Sequence, residues 1–330
     1  ISFSMCVSFL LSVSSLYPLV VLSNRDEYLA RPSQPLHRWL ATENGAPADP
    51  SSNVASTSCS AETRQGVVLA GRDSDHGGTW FGVNPSLRRF AVVTNFREPE
   101  AAGGQRSRGE LVSRYLSGEA ASPRAFADSV MRQGDEFKGF NLVVGAWFVN
   151  DGGVVADAWL ASNRGATAAT GKAEPWPMDG GEGGDAHAVS NGDPLVPWPK
   201  CRRGLRHARE RLRENEANLT EAADLARALV TDVLWDSEVP DEATDGPRPS
   251  TGVPEHWEEK LRSVFVDAVV EKYGTRSSQA LVVSADGNGV MVEYHWDQDG
   301  GSTPHPSARG GAWRWVEHRF DVDGNDVTTA

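Results

Sequence analysis

A cysteine, two asparagines and an arginine are the residues of this chain whose types are best suited to chemistry. The Cys6 thiol is a side chain that becomes strongly nucleophilic near neutral pH once it is deprotonated. Asn95 and Asn191 each follow a small hydroxyl residue, and an inward-facing amide can donate to a developing oxyanion. Arg276, in a Thr-Arg-Ser-Ser segment, can hold a carboxylate or phosphate through two N–H groups. Residues of these types could together supply a nucleophile, oxyanion donors and a cation that holds an anionic group.

Each of these residues also has a structural interpretation. Free cysteine is among the most frequently buried residue types, so packing of Cys6 within a strand is the alternative to a nucleophile. An asparagine often hydrogen-bonds its own turn, and an ion pair is the alternative role for Arg276. The residue types alone leave both interpretations open.

No motif of the sequence indicates a bound metal or nucleotide. The three cysteines, Cys6, Cys59 and Cys201, form no CxxC pair, and no HExxH occurs. Their odd number argues against a disulfide framework and favours a reducing compartment. The glycines at 71, 77, 78 and 82 match no phosphate-loop pattern and are interpreted as turn glycines. His76 is interpreted as a loop histidine rather than a haem ligand, and we expect no cofactor and no metal.

The composition restricts the partners. A net charge of −13 over 330 residues disfavours a general nucleic-acid binder. The basic run from Lys200 to Arg209 is followed by Glu210 and Glu214, which is typical of a solvated helix face. With 39% hydrophobic residues the chain can bury a sizeable core. Unaided adhesion to an anionic membrane is not expected.

The first 22 residues are apolar enough to imitate a secretory leader, but they lack a basic start and a small-residue cleavage pattern. Serines and Pro18 interrupt the run, so we expect no transmembrane segment. Two strands joined by a turn at Ser14-Ser15 fit better. The chain begins with Ile1, and Met5-Cys6 follows. We interpret this as a fragment boundary or as a start placed upstream of Met5.

Short β-branched and aromatic runs bounded by turn residues predict strands in blocks. These strands are Cys6–Val13, Leu19–Leu22, Gly66–Ala70, Thr79–Val83, Phe90–Thr94, Phe140–Phe148, Val154–Leu160, Ala280–Ser284, Gly289–Tyr294 and Trp313–Phe320. Helical patterns predict helices at Glu110–Leu116, Pro123–Gln133, Lys200–Glu216, Thr220–Leu234 and Glu255–Phe265. Strand blocks separated by paired helices, without regular βαβ alternation, predict an α+β fold.

Nothing in the sequence divides the chain into two self-sufficient halves, so we predict one domain over residues 1–330. Two segments, 163–185 and 236–253, are polar and rich in turn residues, and they lack apolar periodicity. We predict that both are loose loops with little protection from hydrogen exchange, dispensable for folding.

A series of short segments resembles, in order, the signatures of the NRDE family, also called the transport and Golgi organization protein 2 family. None is specific alone, but their order over residues 5–278 carries the resemblance. The segments are Met5-Cys6, Ser23-Asn24-Arg25-Asp26-Glu27-Tyr28, Arg31-Pro32, Leu69-Ala70-Gly71-Arg72-Asp73, Gly77-Gly78-Thr79-Trp80-Phe81-Gly82, Thr94-Asn95-Phe96-Arg97, Ser107-Arg108-Gly109-Glu110-Leu111, Gly139-Phe140-Asn141-Leu142, Ser162-Asn163-Arg164, Ser190-Asn191, Pro197-Trp198-Pro199-Lys200 and Gly274-Thr275-Arg276-Ser277-Ser278.

The resemblance implies the fold of N-terminal-nucleophile hydrolases, a four-layer αββα sandwich of two antiparallel sheets. In the choloylglycine-hydrolase and penicillin-acylase branch, a cysteine exposed by methionine removal is the nucleophile and its own α-amino group is the base. Cys6 resembles that cysteine if Met5 and the residues before it are removed. A peptide-bonded Cys6 nitrogen cannot act as a base, so this chemistry requires processing.

The same resemblance supplies roles for further residues. Arg25 and Asp26 are the candidates for orienting the nucleophile and the substrate carbonyl, although their spacing differs from the Arg-x-x-Asp of those hydrolases. A buried ion network of Arg25 with Asp26, Glu27 or Asp73 is the alternative. The context of Asn191 resembles that of the hydrolase oxyanion asparagine. The candidate catalytic residues are therefore Cys6, Arg25, Asp26, Asn95, Asn191 and Arg276, and we predict that Cys6, Arg25, Asn191 and Arg276 converge on one pocket.

Two functions follow from the resemblance. The first is a soluble intracellular factor in Golgi organisation and protein secretion that handles a lipid, acyl-CoA or haem ligand. It would act in the cytoplasm, at the Golgi or in mitochondria, with trafficking proteins as partners. The alternative is a cysteine N-terminal-nucleophile amidohydrolase that acts on a linear amide or thioester. Whether the mature chain begins at Cys6 separates the two.

Overall fold

The computed structural model describes residues 5–41, 66–98, 104, 106–178, 184–216, 221–249, 254–267, 273–296 and 313–327. Within these ranges the strands are β1 (Met5–Ser12), β2 (Leu19–Tyr28), β3 (Ser33–Leu40), β4 (Val67–Asp73), β5 (Phe81–Asn84), β6 (Arg89–Asn95), β7 (Phe140–Asn150), β8 (Gly153–Ser162), β9 (Glu174–Trp176), β10 (Asp185–Val189), β11 (Tyr273–Val283), β12 (Gly289–Trp296) and β13 (Trp313–Phe320). The helices are α1 (Gly109–Leu116), α2 (Pro123–Arg132), α3 (Gly165–Thr170), α4 (Pro199–Glu216), α5 (Ala222–Leu229), α6 (Glu242–Asp245) and α7 (Glu255–Lys260). Gly134–Glu136 is a 3₁₀ turn and Val230–Leu234 a π-helical turn.

The strands form two antiparallel sheets. The first sheet has the order β10-β1-β2-β11-β12-β13, and the second has the order β3-β4-β5-β6-β7-β8-β9. The centre of the first sheet is β2, which pairs with β1 on one side and with β11 on the other. The two strands that carry the sequence motifs Asn24–Glu27 and Thr275–Ser278 are therefore neighbours.

Alternation along the strands separates three apolar layers, because successive strand side chains point to opposite faces. Leu10 and Val21 of the first sheet meet Leu69 and Phe81 of the second in the layer between the sheets. Residues of the opposite face of the first sheet pack against α4 and α5. The outer face of the second sheet packs against α1 and α2. The predicted α+β fold, a four-layer αββα sandwich, is confirmed.

The strand predictions fail mainly where a strand is polar. The sequence places the end of the second strand at Leu22, but β2 continues to Tyr28 and contains Asn24–Glu27. Similarly, β11 begins at Tyr273 instead of Ala280. Both extensions are paired strands in the interior of the sheet, so their polar side chains are buried and need partners there. β3, β9 and β10 were not predicted.

The segments predicted to be loose loops contain short elements in their described parts. Residues 163–178 include α3 and β9, and residues 236–249 include α6. Residues 179–183 and 250–253 lie outside the described residues, as does Cys59. The low protection of both segments stays a prediction. Among the helices described here, none has the length and apolar character to cross a membrane.

Candidate active site around Cys6

A pocket of about 330 Å³ opens between the two sheets at the ends of β1 and β2. It is lined by side chains of both sheets and by the start of α1. The lining residues are Cys6, Arg25, Glu27, Tyr28, Arg31, Asp73, His76, Gly78, Thr79, Trp80, Val93, Asn95, Arg106, Ser107, Arg108, Gly109 and Lys138.

Cys6 faces this pocket from β1. Leu10, on the same face of the strand, lies in the layer between the sheets, whereas Val7 and Phe9 pack on the outer helices. The Cys6 side chain is 6% exposed. Burial, reinforced by the nearby Asp26 carboxylate, raises the pKa of the Cys6 thiol to about 12. In the chain as it stands, Cys6 is therefore a protonated thiol at neutral pH.

The four residues Asn24–Glu27 divide between the two faces of β2. Arg25 and Glu27 line the pocket, and Asn24 and Asp26 face the helical layer. The Asn24 amide donates to the carbonyls of Leu234 and Val264, at 2.7 and 2.9 Å. This half of the motif joins the sheet to the segments that cover it.

Asp26 is a buried carboxylate on the helical side. It accepts a 2.6 Å hydrogen bond from the Thr275 hydroxyl, and its backbone carbonyl accepts one from Tyr273. Burial raises the pKa of Asp26 to about 6, against the opposing effects of Lys200 and Thr275. Arg25 and Asp26, predicted to act together, therefore lie on opposite faces of one strand. A catalytic role for Asp26 stays a prediction.

Arg25 is held on the pocket side by an aromatic ring and two carboxylates. Its guanidinium carbon lies 4.3 Å from the centre of the Trp80 ring, and Nη2 lies 3.4 Å from Asp73 and 4.0 Å from Glu27. Arg31 donates to the same Asp73 at 2.7 Å. Burial alone would raise the pKa of Asp73, but the hydrogen bond and charge of Arg31, with Arg25, hold it below its ordinary value. This is the buried ion network that the sequence offered as an alternative.

The two asparagines differ in what they reach. Asn191 accepts a 2.9 Å hydrogen bond from the Cys6 backbone N–H, and its amide donates to the Asn95 carbonyl at 2.7 Å. The neighbouring Ser190 hydroxyl donates to the Cys6 carbonyl at 2.7 Å. Asn191 therefore positions the backbone of Cys6 and does not line the pocket, whereas the half-buried Asn95 does.

Arg276 lies beside the pocket without lining it. A register shift between Thr275 and Ser277 marks a β-bulge at Arg276. The side chain is fully buried, faces the Trp296 ring at 5.9 Å and donates to the Arg31 carbonyl. Burial, with the charge of Arg25, lowers its pKa to about 10. Of the four residues predicted to converge, Cys6 and Arg25 share the pocket, and Asn191 and Arg276 each contact a residue that lines it.

Pocket residues that were not among the candidate site residues from the sequence include Arg31, Trp80, Arg108 and Lys138. Arg31, Trp80 and Arg108 occur within the quoted family segments, which was the available signal. A Cβ on Gly78 would lie 2.6 Å from the Gly109 backbone, so glycine at this position lets the loop before β5 pack against the start of α1. The helix terminus is thereby held in the pocket wall.

Asp73, Asp75 and His76 lie close enough to share a cation, but the Arg31 guanidinium already contacts two of the three. It contacts Asp73 and, at 3.1 Å, the Nδ1 atom of His76. A guanidinium seated among the acidic oxygens supplies the positive charge that a metal would bring. The cluster therefore belongs to the ion network of the pocket.

Comparison with known proteins agrees with these motifs. The family model described as Transport and Golgi organisation 2 matches residues 5–298. The human transport and Golgi organization protein 2 homolog is 26% identical over 296 residues, which cover 85% of this chain and 90% of that protein. The bovine homolog is 26% identical over 282 residues, which cover 84% and 86%. The extent of the family match shows that this chain belongs to the transport and Golgi organisation 2 family.

Proposed function

We propose that the protein binds an anionic acyl or lipid ligand, of which an acyl-CoA is the type, in the Cys6 pocket. Through this ligand it would serve Golgi organisation and protein secretion, as the names of its relatives suggest. The observation that carries the proposal is the local charge. Among the described residues, five basic side chains and two carboxylates line the pocket, in a chain whose net charge is −13. A cationic cleft in an acidic protein favours an anionic ligand.

Haem is the less favoured ligand of the three that the resemblance implies. Haem iron is usually held by an axial histidine, cysteine, methionine or tyrosine. In the described lining, His76 is hydrogen-bonded to Arg31, Cys6 is a protonated thiol, and the Tyr28 ring packs edge-on against Tyr273. The basic lining suits the phosphates of an acyl-CoA without requiring any of these residues to be released.

A direct binding titration tests the proposal. We expect fluorescent acyl-CoA to bind the purified chain saturably, with one site, and more weakly as salt is added because screening reduces charge attraction. Unlabelled acyl-CoA should compete, and haem should not. A ligand bound in the pocket should also slow alkylation of the Cys6 thiol. If neither acyl-CoA nor an anionic lipid binds saturably, the proposed function is wrong.

The cellular role would depend on partner proteins. The net charge of −13 opposes unaided adhesion to an anionic membrane, so action at the Golgi would be through a trafficking protein. We propose a cytoplasmic protein that associates with the Golgi or with mitochondria. Rescue of cargo secretion in cells depleted of the endogenous relative is the test, with an acyl-CoA-binding-defective variant as the matched control.

The second candidate function, a cysteine amidohydrolase, is favoured by one contact. The Cys6 nitrogen is held by Asn191 Oδ1, so cleavage before Cys6 would create an α-amino group at that position. The amine could accept the thiol proton, and the thiolate could then attack the carbonyl of an amide or thioester. The amine or thiol of the substrate would leave with that proton, and water would then hydrolyse the acyl-Cys6 intermediate to release the acyl group. Intact mass of the native protein decides: a chain that retains residues before Cys6 excludes this mechanism.

A further inference from the structure

Some basic side chains of the pocket are paired with carboxylates and others are not. Arg25, Arg31 and Arg106 each form an ion pair with at least one carboxylate. Arg108 and Lys138 form none with the carboxylates of the described residues. The uncompensated positive charge is therefore concentrated at one end of the pocket, beside the start of α1.

Arg108 reaches across this end of the pocket. Its Nη1 donates to the Gly139 carbonyl at 3.1 Å, which places the guanidinium next to the residue that follows Lys138. Burial lowers the pKa of Arg108 to about 10, while Cys6 and Glu27 act in the opposite direction. A partly desolvated cation without a carboxylate partner is an unfavourable arrangement that a bound anion relieves.

The same wall contains the N-terminus of α1. Ser107, Arg108 and Gly109 line the pocket, and the Thr79 N–H donates to the Gly109 carbonyl at 3.3 Å. In α1 the N–H groups of Glu110 and Leu111 already donate to the carbonyls of Ser107 and Arg108, at 3.1 Å each. The helix therefore contributes the partial positive charge of its dipole, which favours an anion at this position.

Arg25 provides an independent observation. Its side chain is only 5% exposed and lines the pocket, and its Nη1 has no hydrogen-bond partner within the described parts of the chain. A buried donor without an acceptor costs free energy that an acceptor in the pocket would restore.

From these contacts we propose that the end of the pocket formed by Arg108, Lys138 and the α1 N-terminus is a subsite for a phosphate group, with Arg25 of the same pocket as a further donor. The inference rests on the proposed function, because it assigns the position of the ligand's anionic end. The donors come from three different elements. A tetrahedral phosphate can accept from three directions, whereas a planar carboxylate is best matched by one guanidinium fork.

The test uses inorganic phosphate, coenzyme A and acetate as probes, titrated calorimetrically at low salt. The variants are Arg108→Gln and Lys138→Gln. Arg132→Gln is the matched control, since Arg132 is exposed at the end of α2 and is not among the described residues that line the pocket. We expect phosphate and coenzyme A to bind the wild type and Arg132→Gln equally. Binding should weaken roughly tenfold or more in the other two variants, as loss of a charged hydrogen bond predicts.

Two results would overturn the subsite. Equal phosphate affinity in all variants, with unchanged melting temperatures, would mean an adventitious ion only. Acetate binding as tightly as phosphate would contradict the phosphate assignment. The proposed function fails separately: if phosphate binding depends on Arg108 and Lys138 but no acyl-CoA or lipid binds, the subsite stands and the ligand class is wrong.

Discussion

The two faces of β2 use the same four-residue motif in different ways. On the helical face, Asn24 and Asp26 are fully buried and contact backbone carbonyls and a hydroxyl. On the pocket face, Arg25 and Glu27 join an ion network that borders an open cavity. Because strand side chains alternate, a motif that reads as one unit in sequence becomes half structural support and half binding surface.

The carboxylates on the two sides show the same difference in electrostatic form. Asp26 has a neutral hydroxyl as its close partner, and burial raises its pKa to about 6. Asp73 is also largely buried, but the hydrogen bond and charge of Arg31 outweigh burial and lower its pKa. Asp26 on the helical face is therefore protonated more readily than an ordinary aspartate, and Asp73 on the pocket face is protonated less readily.

The largest expected effect is on the helical face. Asn24→Ala removes both hydrogen bonds to Leu234 and Val264 and leaves two buried carbonyls without that donor. We expect the free energy of unfolding, measured by urea denaturation, to fall by about 2–5 kcal/mol. Asn95→Ala, at a half-buried pocket position, is the control and should cost less than about 1 kcal/mol. Equal losses of unfolding free energy in the two variants would contradict the view that the helical face is structural and the pocket position is not.

Asp26→Asn should remove the contribution of Asp26 to the pH dependence of stability. The folded-state pKa of about 6 exceeds the unfolded value, so the folded state binds more protons between about pH 4 and pH 6. Asp26 thus makes the wild type less stable as pH rises through this range, by up to about 3 kcal/mol at 1.36 kcal/mol per pKa unit. Asn has no such titration. The stability of Asp26→Asn relative to the wild type should therefore increase from pH 4 to pH 6.

Asn24 and Asp26 also show what could not be predicted from the sequence. Short apolar, β-branched runs at Leu19–Leu22 and Cys6–Val13 predicted the core strands, because burial of apolar side chains is a local signal. Asn24–Glu27 were not predicted as strand, because their burial depends on partners at residues 73, 234, 264 and 275, which are distant in sequence. Local propensity could not supply those contacts.

The candidate site divides in the same way. Cys6 and Arg25 were predicted and do share the pocket, because the resemblance supplied both residues. Lys138 was missed, since one lysine between a helix and a strand has no distinguishing local pattern. The position of Arg276 depends on a β-bulge, which shifts the register of every residue before it. No spacing rule in a single sequence specifies that shift.

Asp73→Asn should show the opposite pH dependence to Asp26→Asn. The Asp73 pKa lies below its ordinary value, so its stabilising contribution is present above the unfolded pKa and is lost as the solution is acidified. Asn keeps an acceptor for the N–H groups of Asp75 and His76 but loses the charge facing Arg25 and Arg31. We expect a loss of about 1–2 kcal/mol at neutral pH, measured by urea denaturation, that shrinks as the pH falls below the ordinary Asp73 pKa of 3.8 and through its lower folded-state pKa. A loss that does not shrink on acidification would assign Asp73 a role independent of its charge.

Cys6→Ser should have the smallest effect on stability of the four. The hydroxyl is smaller than the thiol and can be solvated or hydrogen-bonded at the pocket surface, so we expect a cost near about 1 kcal/mol. A much larger drop in melting temperature would show that Cys6 is packed like a core residue, because a serine hydroxyl without a partner is costly in an apolar core.

The alkylation rate of the wild type then distinguishes an unreactive, protonated Cys6 thiol from an activated one. A thiol pKa of about 12 in place of 9.0 lowers the thiolate fraction at pH 8 by about three orders of magnitude, since each pKa unit is a factor of ten. Iodoacetamide should therefore modify native Cys6 far more slowly than the unfolded chain, with the buried Cys201 as an internal reference in the same mass spectra. Rapid labelling of Cys6 alone would contradict the protonated thiol. If a chain processed to begin at Cys6 labels rapidly while the longer chain does not, the new amine activates the thiol, and the hydrolase function gains support over binding alone.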